Sequence, residues 1–191
     1  MRLHRDVLVR RAVHMLMALA PLYYLLPERL PVLETGRWVL LICFFAVVVA
    51  FESVRLWLGF TFVGLRPHEF RSIASFVWAA AGLTIALWLF PHDIATVAIV
   101  GMAVVDPLAG ELRSRHSSAV VTVAIPVAVY FAIAAPVLWY MGPHSPFFAV
   151  ILGVIGATAA VGSERRKVRG VDDDFIMTVV PCLLMWVFSE L

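Results

Sequence analysis

Charged residues and cysteines are both scarce in this sequence. Asp, Glu, Lys and Arg together make up only 15% of the 191 residues, whereas a soluble domain carries about 25%. Combined with 62% hydrophobic residues, this shortage excludes an ordinary soluble domain and predicts an all-α, polytopic membrane bundle. The two cysteines, Cys43 and Cys182, lie far apart in apolar segments. Their spacing argues against a cysteine-based zinc site or a redox pair.

Several familiar features of soluble enzymes are also missing. The sequence has no HExxH, Walker A or GxSxG motif, which argues against zincin, P-loop and serine-hydrolase chemistry. It has no low-complexity tract and no long linker, so we predict one integral-membrane domain over residues 1–191. The first apolar segment carries Arg10, Arg11 and His14, and we expect it to stay in the protein rather than to act as a cleaved signal. No nucleic-acid partner is expected.

A series of long apolar segments accounts for most of the chain. A helix needs about 20 mainly apolar residues to cross a bilayer. We therefore predict seven transmembrane helices, over residues 7–26, 36–58, 70–90, 94–112, 118–141, 146–161 and 175–188. The seventh segment is short and contains Pro181, which predicts either a kink or an incomplete crossing.

Basic residues are distributed unevenly around these segments. Thirteen of the 15 Lys and Arg residues fall at the N-terminus or around the second, fourth and sixth connections, and only Arg29 and Arg37 fall on the other side. Lys and Arg are enriched on the cytoplasmic side of membrane proteins. The distribution therefore supports seven spans and predicts a cytoplasmic N-terminus.

Asp106 is the acidic residue that is hardest to explain as a surface group. It lies within the apolar fourth segment, where exposing a carboxylate to lipid would cost about 2.5–3.5 kcal/mol. At helical spacing it shares a face with Ala109, Gly110 and Arg113. A carboxylate, a notch of small residues and a guanidinium suit a polyphosphate bound with Mg²⁺. The alternative is a structural ion pair between Asp106 and one of three arginines, Arg66, Arg71 or Arg113.

The loop between the last two segments concentrates charge. Glu164 opens it, an acidic run from Asp172 to Asp174 closes it, and four basic residues lie between: Arg165, Arg166, Lys167 and Arg169. The carboxylates offer oxygen ligands for a hard cation, and the basic residues offer countercharge to phosphates. Two alternatives stay open. The basic residues can set topology or anchor the chain to lipid headgroups, and one of the three aspartates can cap the seventh helix.

The connection over residues 58–71 is both aromatic and charged. It carries Arg66 and Glu69 among several phenylalanines, which is typical of a segment at the membrane interface. We predict that it forms the lip of a groove through which a lipid enters. The alternative is an interfacial loop held by an ion pair between Arg66 and Glu69.

The ends of the first two predicted helices also carry charge. Arg10 and His14 are four residues apart on the first helix, and Glu52 and Arg55 are three apart on the second. Residues at these spacings share a helix face. We therefore predict a charged cluster on the cytoplasmic side, although a lone histidine such as His14 more often has a structural role.

Five short polar motifs follow one another along the chain: Arg11-x-x-His14, Glu52-x-x-Arg55, Leu65-Arg-Pro-x-Glu69, Asp106-x-x-Ala109, and Glu164 followed by Val171-Asp-Asp-Asp-Phe and Pro181. In this order they resemble the CTP-dependent lipid kinases. That family comprises dolichol kinase, phytol kinase and the CTP-using diacylglycerol kinases, and the CDP-lipid synthases are its membrane relatives. The resemblance spans nearly the whole chain.

The resemblance implies a Mg²⁺-dependent transfer of the terminal phosphoryl group of CTP to a membrane lipid alcohol at the cytoplasmic face. It implies three catalytic carboxylates, Asp106, Asp172 and Asp173. The implied metal ligands are the same three residues and Glu164. The residues expected to bind the nucleotide phosphates are Arg113, Arg115, Arg165, Arg166, Lys167 and Gly110. Those expected in the lipid-side cytoplasmic cluster are Arg11, His14, Glu52, Arg55, Arg66 and Glu69.

The chain departs from the family pattern after the fourth helix. There the family usually has a Gly- and Lys-rich loop that handles the nucleotide phosphates, whereas this chain has only residues 113–118. Residues 162–170 would then supply more of the phosphate contacts. Two other functions stay open: a cytidylyltransferase that makes a CDP-lipid, and a non-catalytic protein that binds or transports a lipid.

Overall fold

The computed structural model of the protein describes residues 2–31, 34–115, 118–165 and 170–191, with side chains described from residue 9 onward. Within these ranges the fold is all-α, as predicted. The helices are α1 (Arg2–Met17), α2 (Trp38–Leu58), α3 (Ser75–Leu89), α4 (His92–Ser114), α5 (Val121–Met141), α6 (Pro146–Glu164) and α7 (Asp173–Ser189). Two 3₁₀ helices lie in the connections, at Ala20–Leu25 and Pro67–Arg71. A short antiparallel pair, β1 (Arg29–Leu30) and β2 (Thr35–Gly36), precedes α2.

Four of these helices, α2, α4, α5 and α6, are long and apolar enough to cross a membrane. They correspond to the predicted spans over 36–58, 94–112, 118–141 and 146–161. α3 is also apolar but has only 15 residues. Whether the first, third and seventh predicted segments cross the bilayer, and which way the bundle faces, stay predictions.

Two predicted helices have different boundaries in the structure. The segment over 7–26 is not one helix, because α1 ends at Met17 and Ala20–Leu25 forms a separate 3₁₀ helix. Pro21 has no N–H to donate to the carbonyl of Met17, so it cannot extend the α-helical ladder. The segment over 70–90 begins as an α-helix only at Ser75, since Pro67–Arg71 forms its own 3₁₀ helix.

α4 is the central helix of the bundle. In its most apolar stretch 67% of the residues are buried, compared with 17% in α2. It packs against α1, α3, α5, α6 and α7. Its buried residues run from Asp93 to Val105 with few interruptions, and Ala109 follows. Asp106 therefore lies where the fully buried part of the central helix ends.

Small residues allow α4, α5 and α6 to approach closely. The ring of Tyr130 on α5 is fully buried and fills the space that a Cβ would need at Gly101 on α4. On α6, a Cβ at Gly156 would lie 3.2 Å from Cε1 of the same ring. Close approach at small residues is a common way for membrane helices to pack. The three helices form a well-packed support for the end of α4 that carries Asp106.

Candidate functional site

Three polar side chains from distant parts of the chain meet beside α1. His14 lies on α1, Asp106 on α4 and Asp174 in the first turn of α7. Nε2 of His14 lies 3.7 Å from Oδ2 of Asp106 and 3.6 Å from Oδ2 of Asp174. One nitrogen or oxygen atom from each residue lies within 4.8 Å of the other two. His14 is 4% exposed and Asp174 is 1% exposed. We call these three residues the His–Asp centre.

The His–Asp centre has unmet hydrogen-bonding capacity. The distances from His14 to the two carboxylates are longer than a direct hydrogen bond allows. Nδ1 of His14 and Oδ1 of Asp174 are both buried, and neither has a hydrogen-bond partner among the described residues. An unpartnered buried polar atom costs about 1–3 kcal/mol. A ligand or ion that supplied the missing partners would therefore bind favourably here.

Asp174 faces inward because it lies on the buried stripe of α7. The buried residues of that helix follow at spacings of three and four: Asp174, Met177, Thr178, Pro181, Cys182 and Met185. Oγ1 of Thr178 donates to the carbonyl of Asp174 over 2.8 Å. The residues selected from the sequence were Asp172 and Asp173, and Asp174 was missed as a site residue. Its helical spacing from Thr178 and Cys182 is the signal that would have identified it.

Asp172 has a double role at the start of α7. Its Oδ1 accepts a hydrogen bond of 3.3 Å from the backbone N–H of Asp174, so it caps the helix, as one predicted alternative stated. Its Oδ2 accepts from Nη1 of Arg66 over 3.2 Å. Burial, followed by the hydrogen bond and charge of Asp173, raises the pKa of Asp172 to about 7. Two neighbouring carboxyls of this kind share a proton at neutral pH unless a cation compensates their charge.

The three consecutive aspartates form a second carboxylate group that overlaps the first. Oxygen atoms of Asp172, Asp173 and Asp174 lie within 4.8 Å of one another, so Asp174 belongs to both groups. Carboxylate oxygens are the ligands that Mg²⁺ and Ca²⁺ prefer, and imidazole is less suitable for these ions. The donor set therefore fits a hard divalent cation, which the aspartates would hold through their oxygen atoms.

The connection between α2 and α3 is fastened by a buried ion pair. Glu52 and Arg55 form two hydrogen bonds of 2.6 and 2.7 Å within α2. Arg55 also donates to the carbonyl of Ser72 over 2.8 Å, and Glu52 accepts from the backbone N–H of Ala74 over 2.8 Å. The charged groups thus tie α2 to the start of α3. They do not join His14, so the predicted cluster of these residues with the first helix was wrong.

Glu69 holds the same connection by a different route. Its carboxylate accepts from the backbone N–H of Arg66 over 2.7 Å and from that of Ser75 over 2.9 Å. The guanidinium of Arg66 is directed to Asp172 instead. The alternative of an ion pair between the side chains of Arg66 and Glu69 is therefore not found, because Glu69 accepts from backbone groups at both ends of the 3₁₀ helix. The guanidinium of Arg66 therefore lies beside the aspartates at the start of α7.

Three of the six residues predicted to bind phosphate, Arg113, Arg115 and Arg165, are engaged within the chain. Four contacts involve these residues and Arg11: Arg113 with Glu164, Arg115 with Glu111 at 2.7 Å, Arg11 with Glu111 at 2.6 Å, and Arg165 with Oγ1 of Thr122 at 3.2 Å. Around Gly110 no atom lies within 4 Å of the position of a Cβ, so the predicted notch is open. Arg166 and Lys167 lie outside the described residues.

Glu164 and Asp106 have different partners in the structure from those predicted. Glu164, a predicted metal ligand, pairs with Arg113 and belongs to neither carboxylate group. Asp106 was expected to pair with an arginine if its role were structural. In the described part of the chain its ion-pair partner is instead His14. The guanidinium of Arg113, one of the three predicted partners, pairs with Glu164 at the end of α6.

A groove between α1, α2 and α3 leads to the His–Asp centre. Its polar end is a cavity of about 90 Å³ lined by His14, Glu69, Asp174 and the loop from Phe62 to Leu65. Its apolar end is a larger cavity of about 490 Å³ between the three helices, lined by Leu16, Phe44, Val48, Ala80, Leu83 and neighbouring apolar side chains. The two cavities share Val13, Met17 and Phe76. A cavity thus lies beside the 58–71 connection, with His14 and Asp174 in its wall, and the entry of a lipid through it stays a prediction.

No protein-family model, curated protein or solved structure matches the chain.

Proposed function

We propose that the protein is a Mg²⁺-dependent kinase of a membrane lipid alcohol and uses CTP as the phosphoryl donor. The observation that carries this proposal is the position of the His–Asp centre at the polar end of an otherwise apolar groove. Carboxylates that would hold a cation and the imidazole of His14 lie where the hydroxyl group of a lipid in the groove would end. The choice of CTP rests on the order of the five polar motifs, which resembles the CTP-dependent lipid kinases.

Each residue of the site has a role in this reaction. Asp106 and Asp174, with Asp172 or Asp173, would hold Mg²⁺, which neutralises phosphate charge when bound. His14 accepts the proton of the lipid hydroxyl as its oxygen bonds to the terminal phosphorus of the nucleotide and CDP leaves. Arg66, beside Asp172, is placed to contact the phosphates. Phosphoryl transfer depends mainly on such positioning and charge neutralisation.

One observation favours a non-catalytic alternative, in which the protein binds or transports a lipid. The described cations Arg113, Arg115 and Arg165 are engaged with side chains of the chain itself. To contact a nucleotide they would have to exchange those partners for phosphates. Arg113 and Arg115 are 49% and 73% exposed, which leaves them accessible for that exchange.

Incubation of the purified protein in detergent with CTP and Mg²⁺ tests the proposal directly. One sample carries label in the terminal phosphate and a second carries it in the α-phosphate, and each is offered to a panel of lipid alcohols and phosphatidates. A kinase transfers the terminal label to a lipid alcohol. Transfer of the α-label with release of pyrophosphate would identify a cytidylyltransferase instead. Lipid binding without transfer of either label would leave the non-catalytic function.

We also propose that the protein is a multi-pass membrane protein whose site faces the cytoplasm. The asymmetry of Lys and Arg supports this orientation, as does the water-soluble nucleotide that the reaction requires. A single cysteine introduced at Glu190, near the C-terminus, into a chain whose two native cysteines are replaced by alanine should react with an impermeant thiol reagent from the outside of intact cells. A cysteine introduced at Arg115 should react only after the cells are opened.

A further inference from the structure

We propose that Arg66 is a built-in counterion of the aspartates at the start of α7, and that a divalent cation has to displace its guanidinium in order to bind there. The displaced guanidinium then becomes available to a phosphate group, so that the cation binds first and the phosphate second. The proposal rests on the proposed function, because it gives the order in which that site takes its cation and its phosphate.

Arg66 occupies the oxygen atom of Asp172 that a cation would need. Oδ1 of Asp172 accepts from the backbone N–H of Asp174 and so caps α7. Oδ2 of Asp172 accepts from Nη1 of Arg66 over 3.2 Å. Oxygen atoms of Asp172, Asp173 and Asp174 lie within 4.8 Å of one another. Exchange of the guanidinium for a cation at Oδ2 would therefore add Asp172 to the ligands of that cation without loss of the helix cap.

The aspartate run carries more negative charge than Arg66 can compensate. Among the described residues, the guanidinium in ion-pair contact with the run is that of Arg66, so one positive charge faces three consecutive carboxyl groups. Asp174 is 1% exposed, and its Oδ1 is buried without a hydrogen-bond partner in the described part of the chain. A divalent cation brings twice the charge of a guanidinium and takes several carboxylate oxygens at once. It therefore suits this run better than Arg66 does.

The contact between Arg66 and Asp172 is of a kind that exchanges readily. It is a single hydrogen bond, and the side chain of Arg66 is 29% exposed. Ion pairs that water can reach contribute little to stability. Arg55, by contrast, is fully buried and holds Glu52 through two shorter hydrogen bonds of 2.6 and 2.7 Å. Of these two arginines, Arg66 is the one that a competing cation can displace.

The backbone of Arg66 is held independently of its guanidinium. Its N–H donates to Oε2 of Glu69 over 2.7 Å, and Glu69 is only 2% exposed. Pro67 follows, and Arg66 has the extended backbone, with φ of −76° and ψ of 150°, that a residue before proline favours. The guanidinium can therefore leave Asp172 by rotation of the side chain alone. A phosphate bound to the same cation would then meet a free guanidinium on a fixed segment of the chain.

A titration with Mn²⁺ tests the competition in the absence of nucleotide and lipid. Mn²⁺ prefers the same oxygen ligands as Mg²⁺, and electron paramagnetic resonance reports its free concentration in a solution of the purified, full-length protein in detergent. Arg66→Gln removes the charge and keeps a side chain of similar polarity. We expect this variant to bind Mn²⁺ about tenfold more tightly than the wild type, because no internal competitor has to leave first. An unchanged or lower affinity would overturn the proposal.

Arg71→Gln is the matched control for the general effect of charge. Arg71 is exposed and lies on the same 3₁₀ helix as Pro67 and Glu69, and the substitution removes the same charge. We expect it to change the affinity for Mn²⁺ by less than about twofold, since salt screens exposed charges that are not in contact. Equal gains in the two variants would show that net charge, and not displacement of Arg66, sets the affinity.

Chemical modification of arginine tests the displacement in the wild-type protein and needs no variant to fold. Phenylglyoxal reacts with accessible guanidinium groups, and mass spectrometry gives the extent of reaction at each arginine. We expect Mg²⁺ to raise the rate at Arg66 several-fold and to leave the rate unchanged at Arg115, an exposed arginine paired with Glu111. A rate at Arg66 that does not respond to Mg²⁺ would overturn the proposal.

Inorganic pyrophosphate tests the order of binding in the same assay. Added together with Mg²⁺, it should lower the rate of modification at Arg66 again, because the displaced guanidinium then pairs with phosphate oxygens. Added without Mg²⁺, it should have no effect. Protection of Arg66 by pyrophosphate alone would contradict the proposed order.

These readouts are independent of turnover. Displacement of Arg66 without transfer of label from CTP would reject the proposed kinase and keep the counterion. Phosphoryl transfer by a protein in which Arg66 does not respond to Mg²⁺ would reject the counterion and keep the kinase. Failure of the wild type to bind Mn²⁺ would reject the counterion together with the proposed cation site.

Discussion

Nε2 of His14 on α1 lies 3.6 Å from Oδ2 of Asp174 on α7. Both residues are almost completely buried, and the distance is too long for a direct hydrogen bond. Asp106 approaches the same imidazole nitrogen to 3.7 Å. Three ionisable groups at such distances, in a chain with so few charges, are expensive to maintain unless they serve a ligand. Of the aspartates at the start of α7, Asp174 lines the groove, whereas Asp172 contacts Arg66.

That separation predicts different effects for two aspartates that are close in sequence. Asp174→Asn should lower lipid phosphorylation by about 100-fold or more, since it removes a carboxylate that would hold Mg²⁺. Asp172→Asn should lower it by less than about tenfold, because asparagine caps a helix as well as aspartate does. The measurement is the rate of terminal-phosphate transfer from CTP at saturating lipid. Equal losses would show that the buried position of Asp174 has no special role in catalysis.

Binding of Mg²⁺ should stabilise the protein through the carboxylates of the two groups. A ligand at 100 times its dissociation constant stabilises the folded state by about 2.7 kcal/mol. We therefore expect Mg²⁺ to raise the thermal unfolding midpoint of the wild type in detergent and to have little effect on Asp106→Asn. Glu111→Gln is the matched control on the same helix, because Glu111 lies outside both carboxylate groups. It should respond to Mg²⁺ as the wild type does, and a lost response would place the cation elsewhere.

The buried ion pair of α2 should be far more important for stability than the exposed pair at the end of α4. Arg55 is fully buried against Glu52, and Arg55→Leu leaves that carboxylate unpaired, which should cost about 3–5 kcal/mol. Arg115 is 73% exposed, and Arg115→Leu should have no measurable effect on stability because exposed pairs contribute little. Both variants are compared by thermal unfolding in the same detergent. A stable Arg55→Leu variant would mean that the pair does not hold the connection to α3.

Two glycines of α4 should respond oppositely to the same substitution. A Cβ at Gly101 would overlap the ring of Tyr130, so Gly101→Ala should destabilise the protein by about 1–3 kcal/mol through overpacking. Gly110 has open space around it, and Gly110→Ala should leave stability unchanged or raise it slightly, since alanine favours helix. The comparison is again made by thermal unfolding. Destabilisation by Gly110→Ala would indicate that the notch is occupied in the folded protein.

Apolar length and breaker residues made much of the fold predictable. The four helices that are long and apolar enough to cross a membrane coincide with predicted segments, because a run of about 20 apolar residues has few alternatives to a helix in lipid. The first segment was predicted too long, although Pro21 signals the break after α1. The 3₁₀ helix before α3 was also missed, since it depends on Glu69 binding backbone groups on both of its sides.

The sequence by itself determined that the protein is helical and membrane-like, that Asp106 needs a partner, and that one aspartate of the run from Asp172 caps the last helix. These properties follow from local composition and spacing. Only the tertiary structure decided that His14 is the partner of Asp106, that Asp174 joins them, and that Glu164 binds Arg113 instead. Pairing between distant segments depends on how the helices are rotated against one another. That rotation is set by the packing of the whole bundle, which no single segment encodes.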